Sequence, residues 1–360
     1  MGAASCDGDG ERNAVVVGLQ PVALVDHVAR VDWAMLESVP GERGGSIRVT
    51  ATELEDILAQ VNKHVLPNGD FSSPIRTLAG GSVANTLRGL AGGLGVRCKM
   101  VGARGNDEQG KMFATSMRSF QVDLSCLRVK SGPTGQCVCL VDALGNRTMR
   151  PCLSDAVRLQ ASELTREDFK GIKWLVLNGY GFYGEELVES AAHLAKLEGA
   201  LVSMDLASFE VVRNFRPRLL KLLQSRKVDL CFANEDEARE LMGGEPESTP
   251  ESALKFLSQY CNNAVVMLGS KGCIARSGDE VVRAKAVEGG SVVDTTGAGD
   301  LFASGFLYGM INGLSLDHCC KLGCCTGAAV VQDLGGEIKQ QGKKWMLQNM
   351  ASMGLPVFQA

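Results

Sequence analysis

Apolar runs of strand length alternate with amphipathic helical stretches along most of this 360-residue chain, and that alternation limits its fold more than any other feature. Ala14 to Leu19 reads as a buried first strand, and Trp174–Leu177, Leu201–Met204, Val228–Phe232 and Ala264–Leu268 read likewise. Helical patterns such as Gly184–Leu197 and Ser252–Tyr260 lie between them. The second opens with Thr249 as N-cap and Pro250 at the first helical position. The pattern predicts a three-layer α/β/α fold: a mostly parallel sheet with helices on both faces. In open sheets of that kind ligands collect at the carboxyl ends of the strands. Hydrophobic residues make up 45% of the chain, enough to bury both faces of such a sheet.

Two stretches break the alternation. Pro21 to Val49 holds alternating segments and the Gly41–Gly45 turn cluster. A helix is then expected near Thr52, with Glu55 completing a capping box. Gln136 to Met149 reads as a hairpin turning at Ala143-Leu144-Gly145-Asn146. Together these pieces, parts of 21–50 and 134–150, predict a small second sheet that acts as a lid. The expected organisation is a disordered tail over 1–13, one domain over 14–340 and a C-terminal segment over 341–360.

Formal net charge is −4, from 37 basic and 41 acidic residues, so nothing electrostatic calls for nucleic acid or an anionic membrane. No apolar run approaches the ~20 residues of a spanning helix. The first residues lack the pattern of a secretory or transit signal, and Cys6 stands where a myristoylation motif has Ser or Thr. Thirteen cysteines, with Cys137-Val138-Cys139 in an apolar run and the pairs Cys319-Cys320 and Cys324-Cys325 in one helical segment, form no CxxC pair. They read as small packing hydrophobes kept reduced, which makes a cytoplasmic protein the expectation.

The strongest chemical signal is Asp294-Thr295-Thr296-Gly297-Ala298-Gly299-Asp300, leading into the apolar, helix-spaced Leu301–Leu307. Glycines at a helix N-terminus let backbone N–H groups converge on one point, where the helix also carries partial positive charge. That is an anion hole suited to a transferring phosphoryl group, and Asp300 at its edge can take the proton of an attacking hydroxyl. A second cluster, Ala79-Gly80-Gly81-Ser82-Val83-Ala84-Asn85-Thr86, would suit a polyhydroxylated ligand, although a helix N-cap explains it equally well.

Together the two clusters resemble the signatures of the pfkB (ribokinase) family of carbohydrate and nucleoside kinases. Gly102-Ala103-Arg104-Gly105-Asn106-Asp107 with Gly110, Asn234-Glu235-Asp236-Glu237 and Gly269-Ser270-Lys271-Gly272 are similar to further segments of that family in the same order, from about Ala14 to Gly336. The resemblance implies a ribokinase-like fold and an ATP-dependent kinase with Asp300 as general base and Gly297, Ala298 and Gly299 as the anion hole. It implies Asp26, Gly80, Gly81 and Asn85 around a sugar, and Asn234, Glu237, Gly269 and Gly272 on the nucleotide side. Glu237 would help hold Mg²⁺ through water, and Asp294 and Thr296 a monovalent cation, K⁺ if one is used. An ionised carboxylate such as Asp26 can accept from two vicinal hydroxyls without a donor of its own. The first segment departs from the family pattern: Gly18-Leu19-Gln20-Pro21 stands where an Asn is common, and Leu268 stands where Thr is common.

By the same resemblance the acceptor is the 5′-hydroxyl of a nucleoside, since GGSVANT, Asp26 and Met204-Asp205-Leu206-Ala207-Ser208 look most like adenosine-kinase-type members. The base is left open between a purine (adenosine, inosine, guanosine) and a pyrimidine (cytidine, uridine). A free sugar such as ribose or fructose is the alternative substrate, and an inactive regulatory or binding member is the alternative class. The state is a monomer or a lid-mediated homodimer. Phe182, Trp33 and Phe209 could stack on a base but read first as core. Gly105 to Lys111 has Walker A spacing, but Met112 replaces the metal-binding Ser or Thr and Asp107 and Glu108 would repel phosphate, so a P-loop is rejected.

Overall fold

The computed structural model describes residues 15–66, 74–244 and 249–356. The tail expected over 1–13 lies outside the described residues. The first strands are β1 (Val16–Gln20), β2 (Leu24–Arg30), β3 (Arg76–Gly80), β4 (Cys98–Gly105), β5 (Leu127–Lys130), β6 (Gly135–Val141) and β7 (Arg147–Cys152). They are followed by β8 (Trp174–Asn178), β9 (Leu201–Asp205), β10 (Leu230–Asn234), β11 (Asn263–Met267), β12 (Cys273–Ser277) and β13 (Glu280–Ala284).

Nine of these strands form one sheet in the order β13-β12-β11-β10-β9-β8-β1-β4-β5. Pairing is parallel from β5 through β11 and antiparallel only for β11–β12 and β12–β13. Alternate residues of its strands enter two separate cores. Val16, Trp174, Val176, Leu230 and Phe232 pack on one face; Val17, Leu175, Leu177, Cys231 and Ala233 pack on the other. A sheet buried on both faces needs apolar residues at every position, which is why these runs show no polar alternation. The helix expected after Thr249 and Pro250 is present as Pro250–Leu257 with that cap.

Helix Ala298–Ile311 is buried from Leu301 through Gly309 and packs against helix Leu316–Val330. Gly309 allows the approach, since a Cβ there would stand 2.7 Å from Cys319 Sγ. All twelve described cysteines are free and ten are buried. Helix Gln340–Ser352 buries Met346 and Met350 in the same core.

The second sheet has the order β3-β2-β6-β7. The hairpin β6–β7 is where the sequence placed it, but β3 comes from outside both stretches expected to build the lid. The sheet is more than a bare cover. Its outer face packs on helices Trp33–Ser38 and Ala51–His64 through Val31, Met35, Leu54, Ile57, Val61 and Leu140. The capping box at the start of the second helix is Thr50 with Glu53, not Thr52 with Glu55. Both pairs have the right spacing; Val49, which hydrogen-bonds to β7 through Pro151 O, ends the extended chain two residues earlier.

Candidate functional site

The last residues of five central strands, Gln20, Asn178, Asp205, Asn234 and Met267, line one cleft of about 1020 Å³. The small sheet closes its other side with Leu24, Asp26, Cys137, Arg147, Met149 and Pro151. The cleft therefore sits at the carboxyl ends of the parallel strands, as the fold class requires.

Gly297 adopts φ +78° and the helix begins at Ala298. A Cβ on Gly297 would stand 2.7 Å from Gly336 Cα, so both its conformation and its surroundings require glycine. Asp300 follows in the first helical turn. Burial pushes its carboxyl above the usual range; hydrogen bonds from Ser82 and Asn85, and then the charges of Arg147 and Arg88, pull it back. Ser82 Oγ donates to Asp300 Oδ1 over 2.5 Å and Asn85 Nδ2 donates to Oδ2 over 2.8 Å. Each carboxylate oxygen keeps accepting capacity beyond these bonds, as a general base needs.

Behind Asn85 lies Arg88, only 2% exposed. It donates to Asn85 Oδ1 over 2.5 Å, to Ala79 O over 2.8 Å and to Glu337 Oε2 over 3.1 Å. An arginine has no acceptor, so this contact fixes which end of the Asn85 amide faces Asp300. Asn85 lines the cleft, yet its polar atoms are engaged in holding Asp300.

Asp26, on β2, faces the cleft from the other sheet. Burial pushes its carboxyl up to about 7, opposed by Arg88 and reinforced by the negative charges of Asp300 and Asp294. Gly80 lies directly behind it: a Cβ there would stand 2.1 Å from the carboxylate, so this glycine makes room for Asp26 and does not itself line the cleft. Gly81 lines the cleft at φ +94° as the N-cap of helix Ser82–Arg88. The departing residue Gln20 accepts from Ala84 N over 3.0 Å and donates to Val22 O over 3.2 Å, bracing the Gly81 turn against β1.

Asn234 caps helix Glu235–Leu241, and Glu237 caps it in return: Asn234 Oδ1 accepts from Glu237 N over 2.9 Å and Asn234 Nδ2 donates to Glu237 Oε1 over 2.7 Å. Burial, then the nearby charge of Asp205, hold the Glu237 carboxyl well above its ordinary range. Asp205 is itself pushed up to about 7 by burial and by Asp300, with Arg147 opposing. Gly269 and Gly272 line the same end of the cleft. Asp294 does not line it. Its carboxylate accepts from Thr296 N and Gly335 N, each over 2.8 Å, pinning the loop ahead of the anion hole. Thr296 lines the cleft, and its buried Oγ1 has no well-formed hydrogen bond.

Three residues outside the sequence-derived set belong to this site. Ser82 holds Asp300, Asp205 ends β9, and Arg147, at the start of β7, lines the cleft from the small sheet. Strand-end position was a usable signal for Asp205; nothing local marks Arg147 among the basic residues of the hairpin. The rejected Gly105–Lys111 loop has another use. Asp107 accepts from Gly110 N and from Thr134 N and Oγ1, tying its helix to the start of β6. Phe182 is core, while Trp33 is 46% exposed beneath Arg43, and neither lines the cleft; nor does Phe209, where Tyr180, Tyr183 and Phe302 do.

Comparisons with known proteins show the family and the fold. The model of the pfkB family of carbohydrate kinases matches residues 61–341. A sugar kinase of Archaeoglobus fulgidus with no characterised substrate is 26% identical over 246 residues, 67% of this chain and 94% of that one. Adenosine kinase 2 of Arabidopsis thaliana is 24% identical over 308 residues, 79% of this chain and 87% of that one. Among solved structures, adenosine kinase from Sinorhizobium meliloti superposes with a TM-score of 0.83 at 29% identity, covering 93% of this chain and 99% of that one.

Proposed function

The chain belongs to the pfkB family of carbohydrate kinases, phosphotransferases with an alcohol group as acceptor, and on that premise we propose that it moves the γ-phosphate of ATP to the 5′-hydroxyl of a nucleoside. The observation that carries the reading is the pairing of two carboxylates across one cleft. Asp300, at the mouth of a glycine-lined helix N-terminus, takes the acceptor proton. Asp26, on the opposing sheet, accepts from sugar hydroxyls.

ATP supplies the phosphoryl group when bound. The Ala298 N–H already donates to Thr295 O over 3.2 Å, which leaves the N–H groups of Gly297 and Gly299 and the N-terminal end of helix Ala298–Ile311 to meet growing negative charge, and Arg147 adds a cation from the small sheet. The half-buried Asp205 and the buried Glu237 are the carboxylates that fit a water-coordinated Mg²⁺; a divalent cation would keep both ionised against the cost of their burial. Thr296 Oγ1, buried without a well-formed hydrogen bond, fits a monovalent cation or a phosphate oxygen. Closure of the small sheet keeps water from the γ-phosphate.

Support for a nucleoside over a free sugar comes from the wall beyond Asp26. Leu24, Met149, Pro151, Leu153 and Tyr183 line the same cleft and offer apolar surface that a free sugar would leave unused and a base could cover. The adenosine kinases among the relatives point the same way. The test is ADP formation by purified protein with ATP and Mg²⁺ against adenosine, other nucleosides, ribose and fructose. One dominant nucleoside is expected. Turnover with a free sugar alone would keep the mechanism and overturn the acceptor, and binding without turnover would favour a regulatory role.

A further inference from the structure

Two thiols and one carboxylate meet on the inner face of the small sheet. Asp26 pairs in register with Cys137 on the parallel neighbour β6, and Cys139 lies two residues further along the same face. The donor atoms of Asp26, Cys137 and Cys139 all lie within 4.8 Å of one another, and all three residues are buried. We propose that they form a binding site for a thiophilic divalent cation of the Zn²⁺ class, open toward the cleft, so that the ion and the acceptor hydroxyls compete for Asp26.

The spacing carries the argument. Tetrahedral Zn²⁺ with Zn–S bonds of about 2.3 Å sets its thiolate sulfurs about 3.8 Å apart. Cys139 Sγ and Cys137 Sγ are 3.8 Å apart. The sulfurs come from alternate residues on one face of a strand, whose backbone sets them about 6.6 Å apart at Cα, so the rotamers turn both thiols toward each other. Asp26 and Cys137 line the cleft, which leaves a fourth position for water or a ligand oxygen. Thiolate donors select Zn²⁺ over Mg²⁺, so the site stands apart from the carboxylates assigned to the nucleotide's metal. A thiol contact alone has a precedent in the buried Cys324–Cys273 pair, 4.0 Å apart; what sets Cys137 and Cys139 apart is the Asp26 carboxylate within reach of both sulfurs.

The experiment titrates the full reduced chain with Cd²⁺, reading thiolate-to-metal charge-transfer absorption, and with Zn²⁺ against a chelating indicator. One equivalent with a two-thiolate signal is expected. C139S should lose affinity by more than the roughly 10–100-fold that follows loss of an outer partner, because it removes a direct ligand. D26N, which keeps both thiols, should also weaken binding. C320S/C324S should leave the signal intact. A signal that survives in both C139S and D26N, or that disappears only in C320S/C324S, overturns the site. Competition rests on the kinase reading above. Adenosine that is turned over yet leaves Zn²⁺ affinity unchanged overturns the shared use of Asp26. If adenosine is neither bound nor turned over while the two-thiolate signal persists, the metal site stands and the nucleoside reading fails.

Discussion

Asn85 Nδ2 donates to Asp300 Oδ2 over 2.8 Å while Asn85 Oδ1 accepts from the buried guanidinium of Arg88 over 2.5 Å. One amide therefore couples the candidate base to a charge that is itself held by Glu337 and by the end of β3. The second glycine cluster thus helps to build the surroundings of Asp300 as well as those of Asp26.

Asp300→Asn keeps the size of the side chain and removes its basicity; its amide oxygen can still accept from Asn85 Nδ2, while its NH₂ must donate to Ser82 Oγ where the carboxylate accepted. Turnover should fall by about 10²–10⁴-fold, the scale of a lost general base. Acceptor affinity, measured by calorimetry, should change little. Near-normal turnover would place the base elsewhere.

Ser82→Ala removes a donor that holds the Asp300 carboxyl down against its burial. Its pKa should rise, and since a base acts only when deprotonated, the acidic limb of the kcat–pH profile should move to higher pH. The alkaline limb should stay in place. A profile identical to that of the unaltered protein would refute this coupling.

Asp26 is pushed up to about 7 by burial, from an unfolded value near 3.8. Between those values the folded state binds more protons than the unfolded, so the ionised form costs stability as pH rises through that window. Asp26→Asn should therefore be stabilising relative to the unaltered chain at pH 8 and not at pH 4, by chemical denaturation. At pH 8 it should also bind acceptor worse, since an amide cannot accept from two hydroxyls with both its polar atoms.

Gly80→Ala forces a methyl group into the Asp26 carboxylate, 2.1 Å away. Asp26 must shift or β3 must part from β2. The expected result is a rise in acceptor KM with a destabilisation of about 1–3 kcal/mol. Unchanged KM would show that Asp26 has room to move without cost.

Glu337→Gln leaves the Arg88 guanidinium, 2% exposed, with only neutral hydrogen-bond partners, while the carboxylates of Asp26 and Asp300 still act on it at longer range. Removing one partner of a buried pair costs about 3–5 kcal/mol; the bonds to Ala79 O and Asn85 Oδ1 place the expected loss at the lower end. Thermal melts would show it, and a melt within a degree of the unaltered chain would contradict it.

The strand runs, the Thr249 cap, the β6–β7 hairpin and the helix start at Gly297 were legible in the sequence because each depends on neighbours within a few residues. Side-chain period, cap chemistry and glycine at positive φ are all local. The strand β3 was not legible: Arg76–Gly80 is short, ends in glycine and is specified by β2, which lies some fifty residues earlier.

The site divides the same way. Local sequence determined that a glycine-lined helix N-terminus would carry Asp300, because both belong to one segment. Only the tertiary structure decided that Gly80 would make room for Asp26, that Asn85 would orient Asp300, and that Arg147 and Asp205 would join them. It also turned Cys137 and Cys139 from packing residues into a pair beside a carboxylate. These relations depend on sheet register and on which strand lies next to which. That is settled by burying two apolar faces at once, which no short stretch of sequence can specify.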